Sequence, residues 1–337
     1  MTDGATRTLR AGVIGLGSMG RHHARVIRST PGMELVAVAD PVGDKFGVAG
    51  DLPVLPDVDA LIGAGLDAAV VAVPTVHHEA VALALAAAGV ATMVEKPIAH
   101  SVEAGERVGA AFEEAGVVGC VGYVERCNPA VIAMRERIQQ GVLGEIYQIT
   151  TSRQGPFPPR ITDVGVIQDL ATHDFDLTPW IAGSDYSVLT AHVQHRSGRD
   201  KEDMVVATGL LTNGVIVNHL VNWLSPRKER QCIATGERGA LVADTLTGDL
   251  TFYANGTYET DWEALASFRG VAEGDITRYA LEKREPLAVE HGYFRDALAG
   301  DPSKIVPMRE GVETLRVVDA CLRSADTGRE VRLEPVT

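Results

Sequence analysis

The sequence predicts a two-domain α/β protein. Three observations carry that expectation. The chain has 337 residues, more than one ordinary core encloses. Up to about residue 125, short apolar runs alternate with helical stretches around a glycine-rich turn, the pattern of a parallel sheet covered on both faces. Beyond that point the pattern changes to strand-like runs separated by turn residues. The division expected is one domain over 1–124 and a second over 125–337.

Composition narrows the possible partners. Hydrophobic residues make up 45% and charged residues 23%, a balance that packs a core. The net charge of -14 argues against a nucleic-acid partner but leaves room for a phosphorylated small molecule, which needs only a few local cations. Cys120, Cys127, Cys232 and Cys321 are scattered without metal-ligand spacing, so they read as free thiols in a reducing cytosol, and no metal is expected. The alanine-rich helix near residues 79–88 is too short to span a membrane, and a cytoplasmic protein is expected.

Taken in order, Leu9 to Ile14 is a buried strand, followed by Gly15-Leu-Gly17-Ser18-Met19-Gly20 and a helix through Arg28. The glycines serve a tight turn, close approach to a pyrophosphate, and close helix–strand packing. The helix N-terminus then offers N–H groups to the phosphates. A second strand, Met33 to Ala39, ends in Asp40, twenty positions after Gly20, where an acid binds the adenosine ribose hydroxyls. Pro41, Val42 and Gly43 supply no cation for a 2′-phosphate, so NAD is favoured over NADP. Strands follow at Ala68 to Val73, Ala91 to Val94 and Val117 to Val121, with helices at Glu79 to Ala88 and Val102 to Ala115. Two strand ends carry polar residues: Pro74-Thr75-Val76-His77-His78 and Glu95-Lys96-Pro97. The two histidines read as a polar helix start. Lys96 leaves a buried strand at the end where such sheets bind ligands.

In the second half, Asn128 and Pro129 cap and open a helix to about Gln140, and Gly144 to Ser152 is a strand. Next comes a proline-stiffened loop from Arg153 to Asp163, whose Arg153 and Arg160 suit a phosphate-bearing substrate. The stretch Gly165 to Asp176, GVIQDLATHDFD, organises the rest. It sets Asp169 and His173 four residues apart, on one face of a helix, with a carboxylate beside an imidazole to move a proton. Ser187 to His195, Met204 to Leu211 and Val215 to Leu224 are strands, with a hairpin signal at Asn213-Gly214 and more strand-like sequence to Tyr253. The strand from Val215 is apolar on both faces, which calls for a partner sheet and hence a homo-oligomer. Late helices near Val289–Ala299 and Gly311–Ser324 are expected to pack on this sheet, and Thr257 to Arg284 has no clear pattern.

With GLGSMG at 15–20, Asp40, PTVHH at 74–78, EKP at 95–97, GYVERCNPA at 122–130 and GVIQDLATHD at 165–174 in this order, the chain resembles the Gfo/Idh/MocA oxidoreductases. The resemblance implies a Rossmann domain followed by an α/β domain on a large, mostly antiparallel open sheet. It implies Lys96, Asp169 and His173 as the catalytic set and a cis Lys96–Pro97 bond. It places Gly15, Gly17, Ser18, Met19, Gly20, Asp40, Pro74, Thr75, His78, Glu95 and Lys96 at the cofactor. Lys96, Tyr123, Arg153, Arg160, Asp169 and His173 are placed at the substrate, and dimers or tetramers are implied. Many relatives carry two glycines where Val164 and Gly165 stand here, a departure expected to tighten the loop. The activity implied is NAD-dependent oxidation of a secondary alcohol on a sugar, cyclitol or sugar nucleotide. The PFPPRITDVGV run is similar to members assigned as UDP-N-acetylglucosamine 3-dehydrogenases. Other roles in this family are free-sugar or inositol dehydrogenase, NAD-dependent glycosidase and non-catalytic dinucleotide sensor.

Overall fold

The computed structural model describes residues 7–158, 164–256 and 272–334. Short runs of two to seven residues in the first part form the strands of a parallel sheet: β1 (Leu9–Ile14), β2 (Met33–Ala39), β3 (Val54–Leu55), β4 (Ala68–Val71), β5 (Ala91–Glu95) and β6 (Gly119–Gly122). Their order is β3-β2-β1-β4-β5-β6. Strand order therefore reverses between β1 and β4, the switch point beside which a dinucleotide binds at the carboxyl ends. The helices are α1 (Ser18–Ser29), α2 (Val58–Ile62), α3 (His78–Ala87) and α4 (Val102–Ala115). Local sequence sets their ends. Ser101 caps α4 by accepting from Ala104 N–H, and Gly116 ends it in the left-handed conformation.

The second part opens with α5 (Pro129–Gln139), where Asn128 caps and Pro129 takes the first turn as expected. After β7 (Ile146–Pro156) comes a π-helical turn, Ile167–Ala171, which runs into α6 (Thr172–Ala182). The sheet is completed by β8 (Tyr186–Gln194), β9 (Met204–Leu211), β10 (Ile216–Asn222), β11 (Leu224–Gly236), β12 (Gly239–Asp244), β13 (Asp249–Gly256), β14 (Ala272–Tyr279) and a short β15 (Val331–Arg332). These nine strands run in the order β14-β13-β12-β11-β7-β10-β9-β8-β15. All neighbours pair antiparallel except β7 and β10. One sheet face is buried in a core that includes Ile149, Val217, Val221 and Leu241 from strands and Phe175 and Leu177 from α6.

The contacts divide the chain differently from the sequence expectation. One compact unit is Met1–Val124 with Glu285–Arg316, and the other is Glu125–Arg284 with Val317–Thr337. The helix α7 (Pro286–Leu298) therefore does not pack on the second sheet. Its Phe294 is buried with Ala24 and Ile27 of α1. The last helix, α8 (Met308–Thr327), is shared: Val312 and Leu315 join the first unit's core, and Val317, Val318 and Cys321 the second's. Residues 272–279, unplaced from sequence, form β14 on the edge of the second sheet. No described helix is long and apolar enough to cross a membrane.

Candidate active site

In the first unit, the β1–α1 turn has the shape of a phosphate cradle. Gly15 has φ +91, and a Cβ there would lie 2.5 Å from the Ala72 carbonyl. A Cβ on Gly20 would fall 1.8 Å from the Gly15 oxygen, so α1 packs on the turn only because that position is glycine. A Cβ on Gly17 would meet nothing within 4 Å, so the space over that residue is open. Gly17 is also the N-cap of α1 and offers no capping side chain, which leaves the first N–H groups, from Ser18 and Met19 onward, for an anion. Asp40 closes the other side of the turn. Its Oδ2 accepts from Leu16 N–H and its Oδ1 from Val42 N–H, each at 2.8 Å, so the carboxylate is fixed between the turn and the end of β2. Each oxygen keeps a lone pair for a ribose hydroxyl. These residues fit a dinucleotide.

Lys96 leaves the end of β5 through a cis bond to Pro97. Around it three residues expected at the ligands are buried. Both ring nitrogens of buried His78 face main-chain carbonyls, Pro97 O and Val73 O, at 2.9 Å. The ring ties two strand exits together. Glu95 is buried and points back to His23 (2.8 Å) and to the N–H of Lys96 (3.1 Å). Tyr123 is 1% exposed in the first unit's core and presents no surface to a substrate. Pro74 and Thr75 stand where expected, at the exit from β4, with Thr75 opening a 3₁₀ turn.

In the second unit, Asp169 lies in the π-helical turn and His173 in the first turn of α6. Turns of this kind are frequent where side chains are put to chemical use. Glu202 holds the start of the turn: its Oε1 accepts Ile167 N–H at 3.0 Å and its main-chain oxygen accepts Val166 N–H at 3.0 Å. A Cβ on Gly165 would fall 1.9–2.1 Å from that carboxylate, so any larger residue would have to displace the Glu202 carboxylate from Ile167 N–H. Arg199 donates to the Val164 carbonyl at 3.1 Å.

Four ionisable side chains lie between Gly165 and Ala182, and burial separates them. Asp174 and Asp176 are buried, whereas Asp169 and His173 are half-buried. The buried pair is neutralised. Arg126 clamps Asp176 through Nε (2.9 Å) and Nη2 (2.6 Å), and Arg153 donates from Nε to Asp174 (2.9 Å) and from Nη1 to Glu125 (2.8 Å). This corrects the expectation for Arg153. It is on β7, not on a loop, it is 4% exposed, and carboxylates already engage it. Burial disfavours its charge, but Asp174 and Glu125 raise its pKa above the ordinary arginine value. Sequence reasoning missed Arg126, Asp174 and Asp176 because each is defined by a partner at least twenty residues away. Arg160 lies outside the described residues. Among the described residues, no group of three or more His, Cys, Asp or Glu could hold a metal ion.

Comparison with known proteins also divides the chain in two. The oxidoreductase-family NAD-binding Rossmann fold matches residues 9–123, and the oxidoreductase-family C-terminal α/β domain matches residues 135–333. The chain belongs to the Gfo/Idh/MocA oxidoreductase family. It is 30% identical to the UDP-N-acetylglucosamine 3-dehydrogenase of Acidithiobacillus ferrooxidans over 94% of this chain and 96% of that protein. It is also 30% identical to inositol 2-dehydrogenase 2 of Saccharopolyspora erythraea, over 97% and 96% respectively. The solved structure of the Acidithiobacillus ferrooxidans enzyme superposes with a TM-score of 0.80 at 27% identity, covering 95% of this chain and 98% of that one. Family membership makes the chain an oxidoreductase with an NAD-binding fold.

Proposed function

We propose that this oxidoreductase uses NAD to oxidise a secondary alcohol of a nucleotide-linked sugar. The observation that carries the catalytic part is the split along the 165–182 stretch. Two of its acids are buried and paired with arginines, while Asp169 and His173 are only half-buried and so stand nearer the surface of the unit. His173 takes the hydroxyl proton. Asp169 orients the imidazole and stabilises its protonated form. Lys96 hydrogen-bonds the reacting oxygen as negative charge builds on it. NAD, when bound, supplies the hydride acceptor.

Support for a nucleotide-linked sugar comes from the similarity to UDP-N-acetylglucosamine 3-dehydrogenase along nearly the whole chain. A second reading has its own support. Similarity to inositol 2-dehydrogenase 2 is as high, and Arg153 is already engaged by the carboxylates of Asp174 and Glu125. A neutral cyclitol needs no phosphate ligand. The deciding experiment is a panel of UDP-sugars, free hexoses and inositols with NAD, following NADH. The sugar-nucleotide reading expects the highest kcat/KM with a UDP-sugar, and a higher KM for it in Arg160→Ala. A higher kcat/KM with an inositol, unchanged by Arg160→Ala, overturns it. Sugar release without NADH accumulation would mark a glycosidase, and NAD binding without turnover a sensor.

A further inference from the structure

The segment that returns to the first unit carries a buried ring to the strand exit that bears Lys96. His291 on α7 and His23 on α1 are both 0% exposed. His291 Nε2 lies 2.9 Å from His23 Nδ1, and His23 Nε2 lies 2.8 Å from Glu95 Oε1. The other oxygen, Glu95 Oε2, accepts the Lys96 main-chain N–H at 3.1 Å. Side chains from α7, α1 and β5 thus form an unbroken chain that ends on the backbone of Lys96.

The hydrogens in this chain run one way. Burial pushes the Glu95 carboxyl up, but the hydrogen bond from His23 and the positive charge of Lys96 help to bring it below the ordinary range. An ionised carboxylate only accepts, so His23 Nε2 carries its hydrogen. His291 Nδ1 is buried with no hydrogen-bond partner among the described residues. A buried N–H without an acceptor is rarer and costlier than a bare acceptor nitrogen. The His291 hydrogen therefore sits on Nε2 and is donated to His23 Nδ1. Every donor points towards Glu95.

We propose that His291 and His23 are positioning residues for Lys96, acting through Glu95. The proposal rests on the reading of Lys96 as the group that hydrogen-bonds the reacting oxygen. With both oxygens bonded, the Glu95 side chain cannot swing, and the peptide N–H of Lys96 is fixed. Without His23, Glu95 would be a buried carboxylate one donor short. The Lys96 ammonium already acts on it electrostatically and would be drawn towards it, away from a substrate oxygen. A displacement of that kind costs turnover more than it costs cofactor binding.

The test compares His291→Leu, His23→Leu and His291→Gln with wild type, and reads proton positions directly. In protein labelled with ¹⁵N-histidine and free of cofactor, both rings should carry hydrogen on Nε2, with the His23 Nε2 hydrogen shifted downfield and slow to exchange. Hydrogen on Nδ1 of either ring overturns the proposal. His291→Leu and His23→Leu should lower kcat by about tenfold or more, while the Kd for NAD and the KM for the alcohol stay within about twofold. His291→Gln, whose amide can replace the donor, should recover most of that loss. A falling melting temperature with unchanged kcat, or no rescue by glutamine, would make the chain merely structural. If wild type oxidises no alcohol, the proposed function fails, and the tautomer spectrum alone decides the positioning chain. The spectrum also decides if a leucine variant does not fold.

Discussion

Lys96, Asp169, His173 and Asp40 are all legible as sequence motifs, and they make different claims on the fold. Asp169 and His173 are half-buried, whereas Asp174 and Asp176 are buried, so removing either of the first two should cost less stability than removing a buried acid. His173→Ala and Lys96→Ala should each lower kcat by about 10²-fold or more with little change in melting temperature. Asp169→Asn should cost less than His173→Ala if its work is orientation. Near-normal kcat in His173→Ala would remove it as the base. Asp40 is different, because its carboxylate is also part of the fold, bridging Leu16 and Val42 N–H groups. A carboxylate at the place proposed for the ribose would repel a 2′-phosphate. Wild type should therefore bind NAD more tightly than NADP, and Asp40→Ala should weaken NAD and narrow the preference in a titration. Tighter binding of NADP by wild type would contradict this. The protein partners of Arg153, His78 and Glu95 and the burial of Tyr123 are not legible in the sequence, and for one reason. Their side chains are oriented by partners that no local pattern announces.

Elements were read well where the pattern was local. The span of α4 and the Asn128 cap on α5 follow directly from capping and periodicity, and Asn213-Gly214 does turn β9 into antiparallel β10, with Gly214 at φ +88. The sequence pattern ends this strand at Ser152, short of the observed end of β7 at Pro156, because its inward positions beyond Ile149 are Thr151, Arg153 and Gly155, polar or small where a core residue is expected. Their compensation is distant. Arg153 meets Asp174, and Thr151 Oγ1 lies 2.7 Å from Nδ1 of His219 on β10. That histidine makes a prediction for the sheet. His219 is buried, its Nε2 lies 2.8 Å from the Tyr186 hydroxyl, and burial lowers its pKa from 6.5 to about 3. The native ring is neutral, so between those values the unfolded chain binds the extra proton. Stability is unaffected by this group above about pH 6.5 and falls as pH drops towards 3, by about 1 kcal/mol per unit. Burial lowers the pKa of His78 and His291 too, so the effect adds to theirs. Thermal melts from pH 7.5 down to 4.5 should show this loss, and His219→Gln should make it shallower. An unchanged slope would mean that His219 titrates in the fold as it does in the unfolded chain.

At the scale of the whole molecule, the break after Val124 is marked in the sequence by the change of pattern, but the return of Glu285–Arg316 to the first unit is not. Its contacts, Phe294 with α1 and Val312 with the β6 region, join residues far apart in the chain, and amphipathic helices do not encode which sheet they will cover. The apolar character of β10 on both faces, by contrast, is plain in the sequence, and it bears on assembly. Val217 and Val221 are buried in the second unit's core, while Ile216 on the opposite face is 55% exposed. Residues directly opposite in a sheet point to the same side. Ile216 pairs with Leu210 on β9, and the row continues from Ile216 through Gln148, Thr235 and Ala240 to Tyr253 and Ile276. Leu210 is 38% exposed, Tyr253 44% and Ile276 65%, so one transverse row carries four large apolar side chains to the open face. Val206, 42% exposed, faces the same way two pairs along β9, opposite Leu220. An apolar face of this extent marks an interaction surface, and a second copy of the same sheet is self-complementary to it. We therefore expect a homodimer or homotetramer formed through this face. Light scattering at micromolar concentration should give a multiple of the 35.8 kDa chain mass. Ile216→Asp places a charge in the middle of the row without touching the core face, and should shift the protein towards the single-chain mass while preserving NAD binding by the first unit. A wild-type protein that runs as a single chain at that concentration would show that the row is left to solvent.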